Sequence, residues 1–160
     1  MTYRLAALIP LVFIAPDLLS APRSLIGQDI PPVPAGCEQI VSGVLGDSDL
    51  FAYQRMVCDK SEIVVLARFI ERRGKAAYWR VVDEIYLPVL NQGVTALDVP
   101  LCKSASFGSN ILATGRWSNP GQDGSFVATD ISQAWRFDLE QSKIEPISVT
   151  DVVCEGEYAD

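Results

Sequence analysis

The chain contains no histidine. That absence removes Ser-His-Asp and Cys-His hydrolases, His-ligated zinc enzymes and His-ligated haem from consideration. Neither a Gly-x-Gly-x-x-Gly pattern nor a P-loop is present, so the common phosphate-cradling signatures are missing as well. No two cysteines share a Cys-x-x-Cys spacing; without His to complete a ligand set, no metal and no cofactor is called for. Blocks of like charge and low-complexity tracts are lacking too. Basic residues are in the minority: 13 Lys and Arg against 20 Asp and Glu leave a net charge of −7. Such a surface repels nucleic acid and anionic lipid, and nucleic acid is not an expected partner.

No apolar run approaches the roughly 20 residues of a membrane-spanning helix. The longest, Leu5 to Ala15, follows Arg4, carries Pro10 inside it and is broken by Pro16 and Asp17. This is the layout of a secretory signal, assigned to residues 1–21. Leu19-Ser20-Ala21 ends in a suitable small residue, although Pro22 is a poor first mature residue and cleavage after Ser20 or Ala15 is an alternative. A buried N-terminal helix competes poorly because of Pro10 and Pro16. Ala35-Gly36-Cys37 ends like a lipidation box, yet Pro34 stands where a branched apolar residue belongs, and three charges (Asp17, Arg23, Asp29) separate Cys37 from the apolar run. The expected location is periplasmic or secreted, with no transmembrane segment in the mature chain.

Residues 22–36, with Pro22, Pro31, Pro32 and Pro34 and no periodicity, read as an extended linker. Residues 37–160 read as a single β-rich domain, large enough for one core but helped by staples. The cysteines supply them. Cys37, Cys58, Cys102 and Cys154 are even in number and scattered, which in an exported chain favours two disulfides over a zinc site. Among the three connectivities, Cys37–Cys58 with Cys102–Cys154 closes the shorter loops.

The clearest element is a hairpin. Residues 62–71 and 76–87 are dense in β-branched and aromatic residues, and Arg72-Arg73-Gly74-Lys75 joins them. Taking Arg73-Gly74 as the turn places Phe69 opposite Tyr78 and Arg68 opposite Trp79. Both faces are apolar, which predicts a central position in the sheet. A helix over 62–71 is disfavoured because no polar stripe recurs at helical spacing. A second hairpin runs from Gln133–Leu139 through Glu140-Gln141-Ser142 to Lys143–Val149, with Pro146 marking an edge or bulge. Further strands are predicted at 50–57, 98–102, 110–117 and 152–154; only 38–45 and 90–96 are compatible with short helices. The fold class is mainly β: a small antiparallel barrel or two-sheet sandwich of about seven strands. A faint echo links residues 66–102 to 114–154, each containing Arg next to an aromatic residue and ending on Cys.

Chemistry is left to carboxylates. Asp83-Glu84 lies at the end of an apolar strand, where neighbours point to opposite faces and cannot cooperate; a strand end emerging into solvent is the simpler reading. Asp47-Ser48-Asp49 falls short of a calcium loop and reads as a polar turn. No catalytic residue is assigned. Arg68, Arg80, Arg116 and Arg136 each adjoin an aromatic residue (Phe69, Trp79, Trp117, Trp135), an arrangement that either grips a partner or simply follows from strand alternation. The loop 118–125 joins two strong strands, and loops on rigid sheets often carry recognition. The candidate binding residues are therefore Arg116, Trp117, Asn119, Gln122, Asp123 and Arg136. Three functions fit: a non-enzymatic binding module whose partner is an envelope protein or small ligand, a carboxylate hydrolase of envelope glycans, or a structural subunit of an envelope assembly. A hydrolase needs two acids about 5 to 9 Å apart in a cleft. An assembly subunit would show an uncovered sheet edge or apolar patch.

Overall fold

The computed structural model describes residues 23–88, 93–118 and 125–157. Among the described residues five strands make the first half: β1 (Asp29–Ile30), β2 (Cys37–Leu45), β3 (Phe51–Cys58), β4 (Ser61–Arg73) and β5 (Ala76–Tyr86). Six make the second: β6 (Thr95–Leu97), β7 (Cys102–Ser104), β8 (Ile111–Trp117), β9 (Ser125–Asp138), β10 (Lys143–Ile147) and β11 (Val152–Glu157). All pairs are antiparallel. The first sheet runs β1-β5-β4-β3-β2; the second runs β6-β8-β9-β11-β7, with β10 also on β9. The protein is a mainly β, two-sheet structure stapled by Cys37–Cys58 and Cys102–Cys154. The connectivity with the shorter loops is the one formed.

Three apolar clusters follow from strand alternation. Phe51, Tyr53, Val64 and Leu66 point from the first sheet toward Leu112, Phe137 and Ile144 of the second. Tyr53 meets Phe137 there with ring centroids 5.8 Å apart. The opposite faces of the same strands carry Met56, Ile63, Val65, Ala67 and Val81, and these are capped by Leu25 and Ile30. Behind the second sheet, Ile111, Ala113 and Ala134 are closed over by Val152 and the Cys102–Cys154 bridge. One sheet borrows its outer cover from the N-terminal segment; the other supplies its own.

The segment expected as a linker is thus in contact with the sheet from Leu25 onward. Asp29 and Ile30 pair with Arg80 and Trp79, and the Leu25 amide donates to Glu84 Oε2 at 2.7 Å. The reason is an exposed hydrophobic face: Val65, Ala67 and Val81 would otherwise meet water, and a short extended piece with two large apolar residues covers them.

Several strand details differ from the sequence reading. The tight turn is Gly74-Lys75, one residue later than expected, because Gly74 takes the positive φ of 63°. A bulge at Ile70 then shifts the register, so Phe69 lies opposite Trp79 and Arg68 opposite Arg80. Phe69 and Trp79 pack edge to face at 5.4 Å, while Arg68 stacks on Phe51 and Arg73 on Tyr78. Residues 38–45, compatible with a short helix, form strand β2: Ile40, Val41 and Val44 favour extended backbone, and pairing with β3 decides it. Of the other segment compatible with a helix, 90–96, Thr95 and Ala96 are strand and residues 90–92 fall outside the described ones. The strand expected over 98–102 is a 3-10 turn, Val99–Leu101, since Pro100 cannot donate to a ladder. Pro146 does mark an edge: among the described residues β10 pairs with β9 alone. The echo between the halves has no topological counterpart, because the first sheet is a meander of neighbours and the second is assembled around β9.

Candidate functional site

Outward positions on β3, β4 and β5 alternate with the core positions. Near the first turns they are bulky, and Leu25 and Ile30 sit on them. Toward the other end they are small. Ala52 and Ala67 are direct cross-strand partners, with Ala77 nearby on β5. Ala67 is fully buried, whereas Ala52 and Ala77 keep some exposure, and a groove of about 450 Å³ opens beside them. Its walls are Trp79 on β5, Gln39, Ser42 and Val44 on β2, and Ile30, Pro31 and Val33 where the chain crosses the sheet.

The groove is neutral. Among the described residues that line it, none carries a charge or a carboxylate. Its polar atoms form one chain: the Gln54 amide donates to Gln39 Oε1, and Gln39 Nε2 donates to Ser42 Oγ at 3.1 Å. Gln54 is only 7% exposed, which makes it one of the few buried polar side chains among the described residues. An apolar floor, one indole wall and a short amide rail are the ordinary constitution of a small-molecule site, and the volume lies in the usual range of roughly 300 to 1,000 Å³.

The wall formed by residues 30–33 is held from several directions. Gly27 N donates to Val81 O and Val81 N to Gln28 O, at 2.8 and 2.9 Å. Arg80 grips Asp29 with both Nε and Nη2, at 2.8 and 3.2 Å, and that pairing keeps the Asp29 carboxyl below the ordinary carboxylate range. On the far side Cys37 ties the segment to Cys58.

Of the residues singled out from sequence, the described ones (Arg116, Trp117 and Arg136) lie on the second sheet, and Arg116 and Arg136 are not brought together. Arg116 pairs with Thr129 at one end of β8, and Arg136 with Ile111 at the other. Five strand steps separate those positions, about 17 Å at about 3.4 Å per residue. Arg136 is already engaged, with Asp138 at 2.7 Å, Glu145 at 2.9 Å and the Phe107 ring at 5.2 Å. Trp117 packs edge to face on Phe126 at 4.6 Å. Asn119, Gln122 and Asp123 lie outside the described residues. Of the four aromatic residues adjoining Arg, only Trp79 lines the groove.

The carboxylates considered for catalysis serve as structural acceptors. Asp83 and Glu84 do point to opposite faces, but neither emerges freely into solvent. Asp83 Oδ2 accepts the Ile144 amide of the second sheet at 2.7 Å, while Glu84 accepts Leu25 N. Asp47-Ser48-Asp49 is a turn. Arg55 lies between Glu62 at 3.2 Å and Asp98 at 3.3 Å, an ion triad joining β4 to the loop after β6. Burial raises the Asp98 pKa above the ordinary value, and Arg55 opposes that rise. Arg55 Nε, Glu62 Oε1 and Asp98 Oδ1 make no hydrogen bond among the described residues, so the triad is held by charge more than by directed bonds. Among the described residues no group of three or more Cys, Asp or Glu could hold a metal ion. No described helix is long and apolar enough to cross a membrane.

The groove had one legible residue, Trp79. Alanine gives no sequence signal, and the covering role of residues 23–36 depends on a contact between residues 59 positions apart. Comparison of the chain with protein-family models, curated proteins and solved structures gives no match.

Proposed function

We propose that this chain is an exported, non-enzymatic binding domain that takes a small, neutral, largely apolar ligand in the groove over Ala52 and Ala67. Export is supported by Arg4 with the apolar run that follows it and by the pairing of all four cysteines. The observation that carries the binding reading is the floor of paired alanines beneath Trp79 and the Gln54–Gln39–Ser42 rail. A neutral ligand is favoured because no charge lines the groove to offset the desolvation of an ion. The glycan hydrolase reading draws no support there, since the groove offers no carboxylate.

Nile red, a neutral apolar dye, provides the probe. It is expected to bind one-to-one and to quench tryptophan emission, with the quenching lost in Trp79→Phe. Ala52→Leu fills the floor and is expected to weaken binding at least tenfold while leaving the thermal midpoint within about 4 °C, a shift on the scale of about 1 kcal/mol for a domain of this size. Equal affinity in Ala52→Leu, or quenching that survives in Trp79→Phe, would discard the groove as the site.

A further inference from the structure

Sheet edges are places where another strand can add, and proteins usually blunt them with short strands, Pro, Lys or bulges. Most edges here are blunted in those ways. β1 has two residues, β6 three and β7 three, the last with exposed Lys103. β10 carries Lys143 and Pro146. β2 differs. It has nine residues, no Pro, no base and one charge, Glu38, and among the described residues it pairs with β3 only. A bulge at Ile40 divides it, but Val41–Leu45 runs against Phe51–Arg55 without a break. Ile40 and Val44 are 46% and 51% exposed, so the open side also presents aliphatic surface.

The charges around this edge are mostly of one sign. Glu38 lies on β2, Asp47 and Asp49 in the turn after it, and the Asp59 carboxylate beside Gly36 before it; all four are exposed. The neighbouring bases are Arg55, opposite Val41 on β3 but held between Glu62 and Asp98, Lys60 at the β3–β4 turn, and Arg68, a strand further in and stacked on Phe51. A second copy of the chain would fit poorly, because two-fold antiparallel pairing of β2 brings Glu38 of one copy toward Asp47 and Asp49 of the other. The net charge of −7 adds to that repulsion.

We infer that the open side of β2 is a strand-addition site for an extended partner segment with alternating apolar residues and Lys or Arg near its ends. Main-chain groups of Val41–Leu45 supply the hydrogen bonds, and the flanking acids select the basic ends. The site adjoins the groove, whose wall includes Gln39, Ser42 and Val44 of β2, but its bonds are made by the main chain on the open side of the strand.

Panning a random twelve-residue peptide library against the disulfide-bonded chain tests this. Enriched peptides are expected to alternate apolar residues, to carry Lys or Arg toward both ends, and to shift β2 amide resonances when resynthesised. N-methylating alternate peptide amides should weaken binding at least tenfold in one phase and little in the other, the mark of a strand bonded along one side. Glu38→Lys with Asp47→Lys, both exposed, should weaken the same peptides at least tenfold. No enrichment, resonance changes confined to strands other than β2, indifference to N-methylation in both phases, or unchanged affinity in the charge-reversed protein would each overturn the proposal.

Discussion

The two sheets reach the same end by different routes. The first is a meander in which β2, β3, β4 and β5 each pair with their neighbour in sequence. Its disulfide joins strands already matched at seven further positions and closes a separation of 21 residues. The second is organised around β9, which takes β8 on one side and both β10 and β11 on the other. Its disulfide spans 52 residues and sits at the end of a three-position ladder between β7 and β11. Local hairpins hold one half together, and a covalent clasp across a long separation holds much of the other. The difference extends to the outer faces. The first sheet relies on a thin segment that leaves Ala52 and Ala77 partly exposed, which is why the groove lies on that side.

Removing each disulfide in turn should cost the most stability. Loop-closure entropy gives about 4 kcal/mol for the longer loop and about 3 kcal/mol for the shorter. Replacing Cys102 and Cys154 by Ala is expected to lower unfolding free energy by about 4 kcal/mol and to release β7, measured by urea denaturation and amide exchange. The Cys37/Cys58 double variant should lose about 3 kcal/mol or less and keep β2 paired. Equal losses with equal local exchange would show that the halves do not differ in this way.

The next effect concerns the strut between the halves. Arg55→Met leaves Glu62 and Asp98 without their cation and is expected to destabilise by about 3 kcal/mol near neutral pH. The sign of its pH dependence follows from Asp98. A folded pKa above the unfolded value means that stability is gained as pH falls through the folded pKa, and the gain is complete below the unfolded one. Losing Arg55 raises that pKa further. The deficit of the variant should therefore shrink on acidification into the carboxylate range, read from denaturation midpoints at pH 7 and pH 5.

A smaller effect compares packing at matching places. Gly43 faces Tyr53 across β2 and β3, and Gly156 faces Phe126 across β11 and β9; each aromatic ring lies on its glycine. A Cβ at Gly43 would come within 2.7 Å of the Tyr53 ring, and at Gly156 it would overlap the Phe126 ring. Gly43→Ala is expected to cost about 1–3 kcal/mol, because Tyr53 is confined between the sheets. Gly156→Ala should cost less, with Phe126 only half-buried and better able to turn aside. Thermal midpoints of the two variants order them. Smallest of all is Arg80→Gln, which removes an exposed pair with Asp29 and should leave the thermal midpoint indistinguishable from that of the unsubstituted protein.

Much of the fold was legible because its signals are local. β-Branched runs marked β4 and β5, Pro146 marked an edge, and loop length picked the cysteine pairs. The register of the β4–β5 hairpin was not legible, since a bulge at Ile70 depends on how Phe69 and Trp79 pack and not on the turn residues alone. Nor could the extra strands be read: β1, β6 and β7 are two or three residues long and exist only through their partners. The groove was hidden for a different reason. It is a place where side chains are small, and a missing side chain carries no pattern in the sequence.

The cysteine pairing has a consequence for how the chain matures. The bridges join the first cysteine to the second and the third to the fourth. A chain emerging N-terminus first presents Cys58 when Cys37 is its sole available partner, and later presents Cys102 to a closed pair. Cys154 then arrives to a single waiting thiol. An oxidant acting during emergence reaches the native bridges in order, with no wrong pairing to undo and no need for disulfide exchange.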